Sequence, residues 1–81
     1  MQITVRFFAC LKDVTACAQT TAVLAPGASV AGLLQAMYVR FPRLAEFERS
    51  TLVAVGVDYQ GKDYVLREGD EVALLPPAQG G

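Results

Sequence analysis

The sequence predicts an α+β fold in which one main helix packs on one face of a mixed sheet of about five strands. Three observations support this prediction. Apolar and polar residues alternate at the start of the chain, which is typical of a half-buried strand. Between Ser29 and Pro42, apolar residues recur at helical spacing. The remaining apolar runs are short, rich in β-branched residues and separated by glycine-containing turns.

The first element is a strand, because the apolar residues of its alternation fall at every second position: Ile3, Val5 and Phe7. Phe8 breaks this alternation, so it lies where the strand ends or faces a partner. Residues 9–16 are compatible with a short helix or turn, and 20–24 form a second strand. The gap is long for a tight hairpin, so we expect an irregular connection.

The main helix begins after the Pro26–Gly27 break, with Ser29 as its N-cap, and ends before Pro42. One face of it is apolar: Val30, Leu33, Leu34, Met37 and Phe41. Tyr38 is expected to lie half-buried at the edge of this face. Gly32 costs about 1 kcal/mol relative to alanine within a helix, so we expect it to allow close packing on the sheet.

The second half of the chain predicts a surface loop and three strands. Residues 43–50 are polar and include at most one helical turn. The predicted strands are 52–57, a short one at 64–66, and 71–75. The turns between them are Gln60-Gly61-Lys62 and Glu68-Gly69-Asp70. Asp70 is expected to accept hydrogen bonds from backbone donors of its turn.

This order of elements is the β-grasp, or ubiquitin-like, arrangement. We predict one domain, residues 1–77, followed by a C-terminal tail, residues 78–81. Pro76 and Pro77 stop the last strand and hold the base of the tail extended. The tail ends in Gly80-Gly81, which lacks side chains and therefore fits a narrow channel. At about 3.3–3.6 Å per residue, its four residues reach roughly 14 Å.

Composition limits the classes of function. The chain has 81 residues, 53% hydrophobic, and a net charge of −1, which disfavours nucleic acid as a partner. There is no histidine, and Cys10 and Cys17 alone cannot supply the four ligands of a structural zinc. We expect no metal and no bound cofactor, and both cysteines as buried small hydrophobic residues. No apolar stretch reaches about 18 residues and no signal peptide opens the chain. This predicts a cytoplasmic protein that does not associate with a membrane.

Three motifs together resemble one known family. They are Val5-Arg6-Phe7-Phe8-Ala9 with Leu11-Lys12-Asp13, Leu66 to Ala73 with its Gly69-Asp70-Glu71, and Leu75-Pro76-Pro77 through Gly80-Gly81. The chain resembles, over essentially its whole length, the MoaD-type sulfur carriers, the small subunits of molybdopterin synthase. That family usually has glycine where this chain has Ala16, asparagine where it has Gly56, and a different stretch at Ala78-Gln79.

The resemblance implies a chemistry for the tail. An activating enzyme of the E1 type would use ATP to adenylate the carboxylate of Gly81, and a sulfur donor protein would convert it into a thiocarboxylate. This group would then pass sulfur to cyclic pyranopterin monophosphate inside the large subunit of a heterotetramer. Gly80 would have to fit the same channel. The chain is then a sulfur-donating, non-catalytic subunit, and the general acids and bases belong to its partner.

A partner-binding surface is expected beside the tail. If Val72 and Leu74 face the core, Ala73 and Leu75 face outward. The residues assigned to partner binding are Phe8, Tyr59, Leu75, Pro76, Pro77, Ala78 and Gln79. The alternative is that the exposed apolar residues are unconnected, because single ones are common on protein surfaces.

Other functions remain open at this point. The chain is alternatively a sulfur carrier for thiamine synthesis or tRNA thiolation, or a ubiquitin-like modifier whose Gly81 is joined to lysines of other proteins. A plain interaction module is a further alternative, for which deletion of Gly80-Gly81 would change nothing.

Overall fold

The computed structural model describes residues 1–77. Within this range, two helices, a 3₁₀-helix and five strands follow in the order β1 (Gln2–Phe7), α1 (Cys10–Thr15), β2 (Gln19–Val23), α2 (Val30–Arg40), the 3₁₀-helix (Pro42–Ser50), β3 (Leu52–Val55), β4 (Asp58–Tyr59) and β5 (Glu71–Leu75). The strand order across the sheet is β2-β1-β5-β3-β4. The β1–β5 pair is parallel and the other pairs are antiparallel. The predicted fold class is confirmed.

The core lies between α2 and one face of the sheet. The central strands supply Ile3, Val5, Phe7, Val72 and Leu74, and α2 supplies Val30, Leu33, Leu34 and Met37, all of which are buried. The rings of Phe7 and Phe41 meet edge to face with centroids 5.5 Å apart, a favoured aromatic geometry. Every second residue of β1 and β5 is therefore committed to the core, and the residues between them face the other side of the sheet.

Helix α2 has the predicted ends but not the predicted role for its glycine. The Ser29 hydroxyl accepts a hydrogen bond from the Gly32 amide at 3.3 Å, which confirms the N-cap. Gly32 itself is exposed, and a Cβ added there would meet only Ala28, at 3.9 Å. The expectation that Gly32 packs closely on the sheet is wrong, because this position faces solvent.

The segment after α2 is more regular than expected. Instead of a loop, Pro42–Ser50 forms a nine-residue 3₁₀-helix. Leu44 is fully buried, and Phe47, three residues on, packs against the core. In a 3₁₀-helix, residues three apart lie above one another, so these two side chains fasten the segment to the domain. Most of the other positions are polar, which hid this pattern in the sequence.

The third strand is shorter than predicted, and its neighbour is a different segment. Gly56 has φ +64 and turns the chain, so β3 ends at Val55 and Val57 lies in the turn, almost fully exposed. The next strand is Asp58–Tyr59, paired antiparallel with β3. The predicted strand at 64–66 forms only an isolated bridge between Val65 and Ser29. The backbone of residues 64–66 instead accepts a hydrogen bond from the start of α2, because Val30 N–H donates to the Tyr64 carbonyl at 2.9 Å.

The turn before β5 is confirmed. Gly69 has φ +85, a conformation that favours glycine. The Asp70 carboxylate accepts a hydrogen bond from the Arg67 amide at 2.8 Å, as expected of an aspartate in a turn.

Both ends of α1 are unusual. Ala9 and Ala16, which flank it, have positive φ values of 52° and 62°. Cys10 is exposed and Cys17 is half-buried, and both are free. The expectation of two buried cysteines is therefore wrong for Cys10, because Leu11 and Thr15 are the α1 residues that face the core.

Two negative findings apply to residues 1–77. No helix in this range is both long and apolar enough to cross a membrane. The same range contains no cluster of three or more potential metal ligands among its acidic and cysteine side chains.

Candidate partner-binding surface

The register of the sheet gathers apolar residues on the face opposite α2. Because Leu74 faces the core, Leu75 faces outward, and its cross-strand neighbour Leu52 does too. By the same rule Ala54 lies opposite Ala73, and Tyr59 opposite Ala54. Phe8 follows the last core residue of β1, and its amide donates to the Leu74 carbonyl at 3.1 Å. We call this surface the apolar patch: Phe8, Leu52, Ala54, Tyr59, Ala73 and Leu75.

The apolar patch is open to solvent. Tyr59 is 69% exposed, Phe8 42% and Leu52 40%, and the three remaining members are half-buried. An apolar surface that is contiguous over three strands is typical of a site that another protein covers.

The other half of the same sheet face is different in chemistry. Its outward residues on β1 and β2 are mostly polar: Gln2, Thr4, Arg6, Gln19, Thr21 and Val23. Arg6 and Glu71 form an ion pair of 3.3 Å where the two halves meet, and both side chains are about half exposed. The boundary gives the patch a charged rim on one side, the arrangement found around many protein interfaces.

The register places three of the side chains assigned to partner binding from the sequence on the same face of the sheet: Phe8, Tyr59 and Leu75. Pro76 and Pro77 follow Leu75 directly and are half-buried. Ala78, Gln79, Gly80 and Gly81, which carry the remaining assignments, lie outside the described residues. The patch is thus joined to the tail through two prolines.

Sequence reasoning missed Leu52 and Ala54. The sequence does contain a pattern of period two here, in which Leu52 and Ala54 alternate with Val53 and Val55. The structure shows that Val53 and Val55 are buried. The predicted strand ran on to Val57, which obscured the alternation and drew attention to the wrong end of the strand.

A cavity of about 380 Å³ adjoins the patch at the β3–β4 edge of the sheet. Leu52 and Tyr59 line it together with Leu34 of α2. Glu48 and Lys62, which also line it, form an ion pair of 3.6 Å. The apolar surface therefore continues around the edge of the sheet into this cavity. The Glu48–Lys62 ion pair forms its polar boundary.

Tyr38 lies on α2 and so on the other side of the sheet. Its hydroxyl is buried and has no hydrogen-bond partner among residues 1–77. Burial raises the pKa of this phenol, and the carboxylate of Glu48 raises it further, because both disfavour a negative charge there. Tyr38 is half-buried, as predicted, and is not part of the patch.

Comparisons with known proteins identify relatives. Residues 5–81 match the ThiS family. A molybdopterin synthase sulfur carrier subunit of Chlamydomonas reinhardtii is 34% identical over 84 residues, covering 100% of both chains. Its counterpart from Arabidopsis thaliana is 26% identical and covers 100% of this chain and 84% of the relative.

Solved structures share the fold. SAMP1 from Haloferax volcanii superposes with a TM-score of 0.88, at 23% identity and full coverage of both chains. A chain from the complex of subunits 1 and 2 of the molybdopterin-converting factor of Helicobacter pylori gives a TM-score of 0.73, at 24% identity and full coverage. The family match over nearly the whole chain, the 34% identical relative and the β-grasp fold agree, and this chain belongs to the ThiS family as a MoaD-type, ubiquitin-like sulfur carrier.

Proposed function

We propose that this chain is the sulfur carrier subunit of a molybdopterin synthase and that its reactive group is the carboxylate of Gly81. The observation that carries the proposal is the 34% identity, over full length, to a relative with that function in its name. The apolar patch supports it, because a carrier that delivers a group on its tail needs a docking surface next to the tail.

The tail chemistry begins with activation. A carboxylate resists nucleophiles because of its negative charge, so an activating enzyme of the E1 type first joins a Gly81 oxygen to the α-phosphate of ATP and releases pyrophosphate. Sulfide sulfur from a donor protein then attacks the carbonyl carbon. The bond to AMP breaks, AMP leaves with the bonding electrons, and the product is a thiocarboxylate. Neither ATP nor any other cofactor is held by the carrier itself.

Transfer then takes place in the large subunit. The anionic sulfur attacks a carbon of cyclic pyranopterin monophosphate and displaces the oxygen bound there, so that a C–S bond forms as a C–O bond breaks. Water then attacks the carbonyl of the resulting thioester, the bond from that carbonyl to sulfur breaks, the sulfur stays on the pterin, and the Gly81 carboxylate is restored. Gly80 matters here because any side chain beside Gly81 would have to pass the same channel. We assign the acid and base steps to the large subunit, in a heterotetramer of two large and two small subunits.

Docking in this proposal uses the apolar patch and the residues that follow it. Leu75 anchors the patch, while Pro76 and Pro77 aim the tail away from the sheet. In the sequence, Ala78 and Gln79 separate Pro77 from Gly80-Gly81. The complex of subunits 1 and 2 from Helicobacter pylori shows that a chain of this fold assembles with a second subunit in that organism.

The second candidate is a protein modifier. It is favoured by the high structural similarity to SAMP1, a small archaeal modifier protein by name. In that case the adenylated Gly81 would be attacked by a lysine amine of a target protein instead of by sulfur. A sulfur carrier for thiamine synthesis or tRNA thiolation would share the thiocarboxylate and differ in its acceptor.

The deciding experiment is the intact mass of the chain after incubation with ATP, an activating enzyme and a sulfide source. We expect a gain equal to the replacement of one oxygen by sulfur, and no gain in a variant that lacks Gly81. An unchanged mass, with a control carrier converted by the same enzyme, would refute a sulfur carrier for that enzyme.

The acceptor is tested next. The thiocarboxylate form, mixed with a molybdopterin synthase large subunit and cyclic pyranopterin monophosphate, is expected to yield molybdopterin and return to the original mass. Covalent adducts on lysines of other proteins, without conversion of the pterin, would instead select the modifier.

A further inference from the structure

Strand β2 forms one open edge of the sheet, with β1 as its neighbour among the described strands. The amide of Leu24 bonds to the Met1 carbonyl, and the amide of Phe7 to the Ala18 carbonyl. In an antiparallel pair these inward-facing positions alternate with outward-facing ones. The backbone groups of Gln19, Thr21 and Val23 therefore point away from β1, toward solvent.

This edge is suited to pairing with another strand. Residues 19–23 carry no charge and no proline, and three of the five are β-branched. Val23, on the edge strand itself, is 79% exposed. Proteins normally block such an edge, because it is a template for strand addition.

Arg40 occupies the centre of the edge. From the last turn of α2, its Nη1 donates to the Thr21 carbonyl at 2.9 Å and its Nη2 to the Thr20 hydroxyl at 2.6 Å. Its guanidinium also lies over the Phe41 ring, 5.2 Å from the centroid. Three contacts thus hold one charged group where the backbone of an incoming strand would have to lie.

We propose that Arg40 keeps the chain monomeric by blocking antiparallel pairing of β2 with the β2 of a second copy. A two-fold axis at Thr21 would place the two Thr21 residues opposite each other and Gln19 opposite the second copy's Val23. The central pair of hydrogen bonds needs the Thr21 carbonyl that Arg40 occupies. The pairing would also bring two guanidinium groups together at the axis, which adds charge repulsion.

A second copy is the occupant that fits this edge. The strand is uncharged, so it offers nothing to a partner of opposite charge, and its pairing about Thr21 is complementary to itself. The other open edge, β4, has only two residues, so head-to-tail pairing of β2 with β4 would form a much shorter ladder. Apart from Phe8, which follows β1, the apolar patch lies on β3, β4 and β5, and this inference does not depend on the tail chemistry.

The test compares Arg40→Met with Arg43→Met by sedimentation velocity up to millimolar concentration. Arg43 is exposed and makes no hydrogen bond or ion pair with the rest of residues 1–77, so the two variants change charge and apolarity equally. We expect the Arg40 variant to form a dimer with a dissociation constant at least tenfold below that of wild type. The Arg43 variant should sediment like wild type.

Two further measurements locate the contact. In the Arg40→Met dimer, the Thr21 amide, which points to solvent in the monomer, should exchange its hydrogen at least tenfold more slowly. Adding Thr21→Pro removes this donor without removing a bond to β1, so the double variant should return to monomer. A monomeric Arg40→Met protein, larger aggregates in place of a dimer, or a dimer that survives Thr21→Pro would each overturn the proposal.

Discussion

Leu52 and Leu75 lie directly opposite each other at the point where β3 begins and β5 ends. Leu75 is the last residue of its strand before Pro76-Pro77, and Leu52 also lines the cavity at the edge of the sheet. This pair therefore joins the apolar patch to the base of the tail. A partner that covers the patch would therefore lie beside the point where the tail begins.

Leu52→Lys is expected to weaken binding of the large subunit at least tenfold, because it places a charge within the apolar patch. The matched control is Val23→Lys, which puts the same charge on the polar half of the same sheet face. Isothermal titration calorimetry with a molybdopterin synthase large subunit measures both. Because Leu52 is 40% exposed, the free energy of unfolding should change by less than about 1 kcal/mol. Equal affinities of the two variants would exclude the patch as the docking surface.

The sequence was sufficient to predict those helices and strands whose apolar periodicity is unbroken. Strand β1 and helix α2 have unbroken patterns, and Ser29 and Pro42 mark the bounds of α2. The pattern fails where a turn interrupts an apolar run. Val57 continues the run of β3 in sequence, but the positive φ of Gly56 reverses the chain before it.

Strand pairing was the other feature that local pattern could not give. Residues 64–66 are as suitable for a strand as 58–59, but hydrogen bonding at the start of α2 occupies their backbone. The members of the apolar patch could likewise be identified only from the register of the strands. Leu52 and Ala54 become outward neighbours of β5 residues only when β3 pairs with β5.

Replacing Ala9 or Ala16 by glycine is expected to stabilise the protein. Ala16 has φ 62 and ψ 24, a left-handed conformation that costs an L-residue about 1 kcal/mol. Ala9 has φ 52 and ψ −131, a conformation that only glycine adopts easily, so the gain there should be about 1–3 kcal/mol. Urea denaturation gives both values. Ala31→Gly, within α2, is the control with the opposite sign and should cost about 1 kcal/mol. Destabilisation by Ala9→Gly would show that the alanine methyl makes contacts that outweigh the strain.

Tyr38→Phe should raise the free energy of unfolding by up to about 1 kcal/mol, because it removes a buried hydroxyl that has no hydrogen-bond partner within residues 1–77. The control is Tyr59→Phe. The Tyr59 hydroxyl belongs to an exposed side chain, so its removal should change the free energy of unfolding by less than about 0.5 kcal/mol. Urea denaturation at neutral pH compares the two.

The pH dependence gives a second readout on Tyr38. Folding raises the pKa of this phenol above its ordinary value of 10.0, so the folded chain binds the proton more tightly than the unfolded chain. This contribution is fully present below pH 10 and is lost as the pH rises through the higher, folded pKa. Wild type should therefore lose more stability than Tyr38→Phe above pH 10. Parallel stability curves for the two proteins would contradict the assigned burial.

Gly32→Ala should stabilise the protein by about 0.5–1 kcal/mol, which reverses the expectation drawn from the sequence. The added methyl meets only Ala28, at 3.9 Å, and alanine loses less backbone entropy than glycine when a helix forms. The Gly32 amide keeps its bond to Ser29, because the substitution leaves the backbone donor in place. Gly69→Ala is the control: its positive φ of 85° is unfavourable for any side chain, so the same chemical change should destabilise by about 1 kcal/mol or more. Urea denaturation should show changes in the free energy of unfolding of opposite sign for the two variants. A loss of stability in Gly32→Ala would mean that the added methyl meets a close contact that the structure does not show.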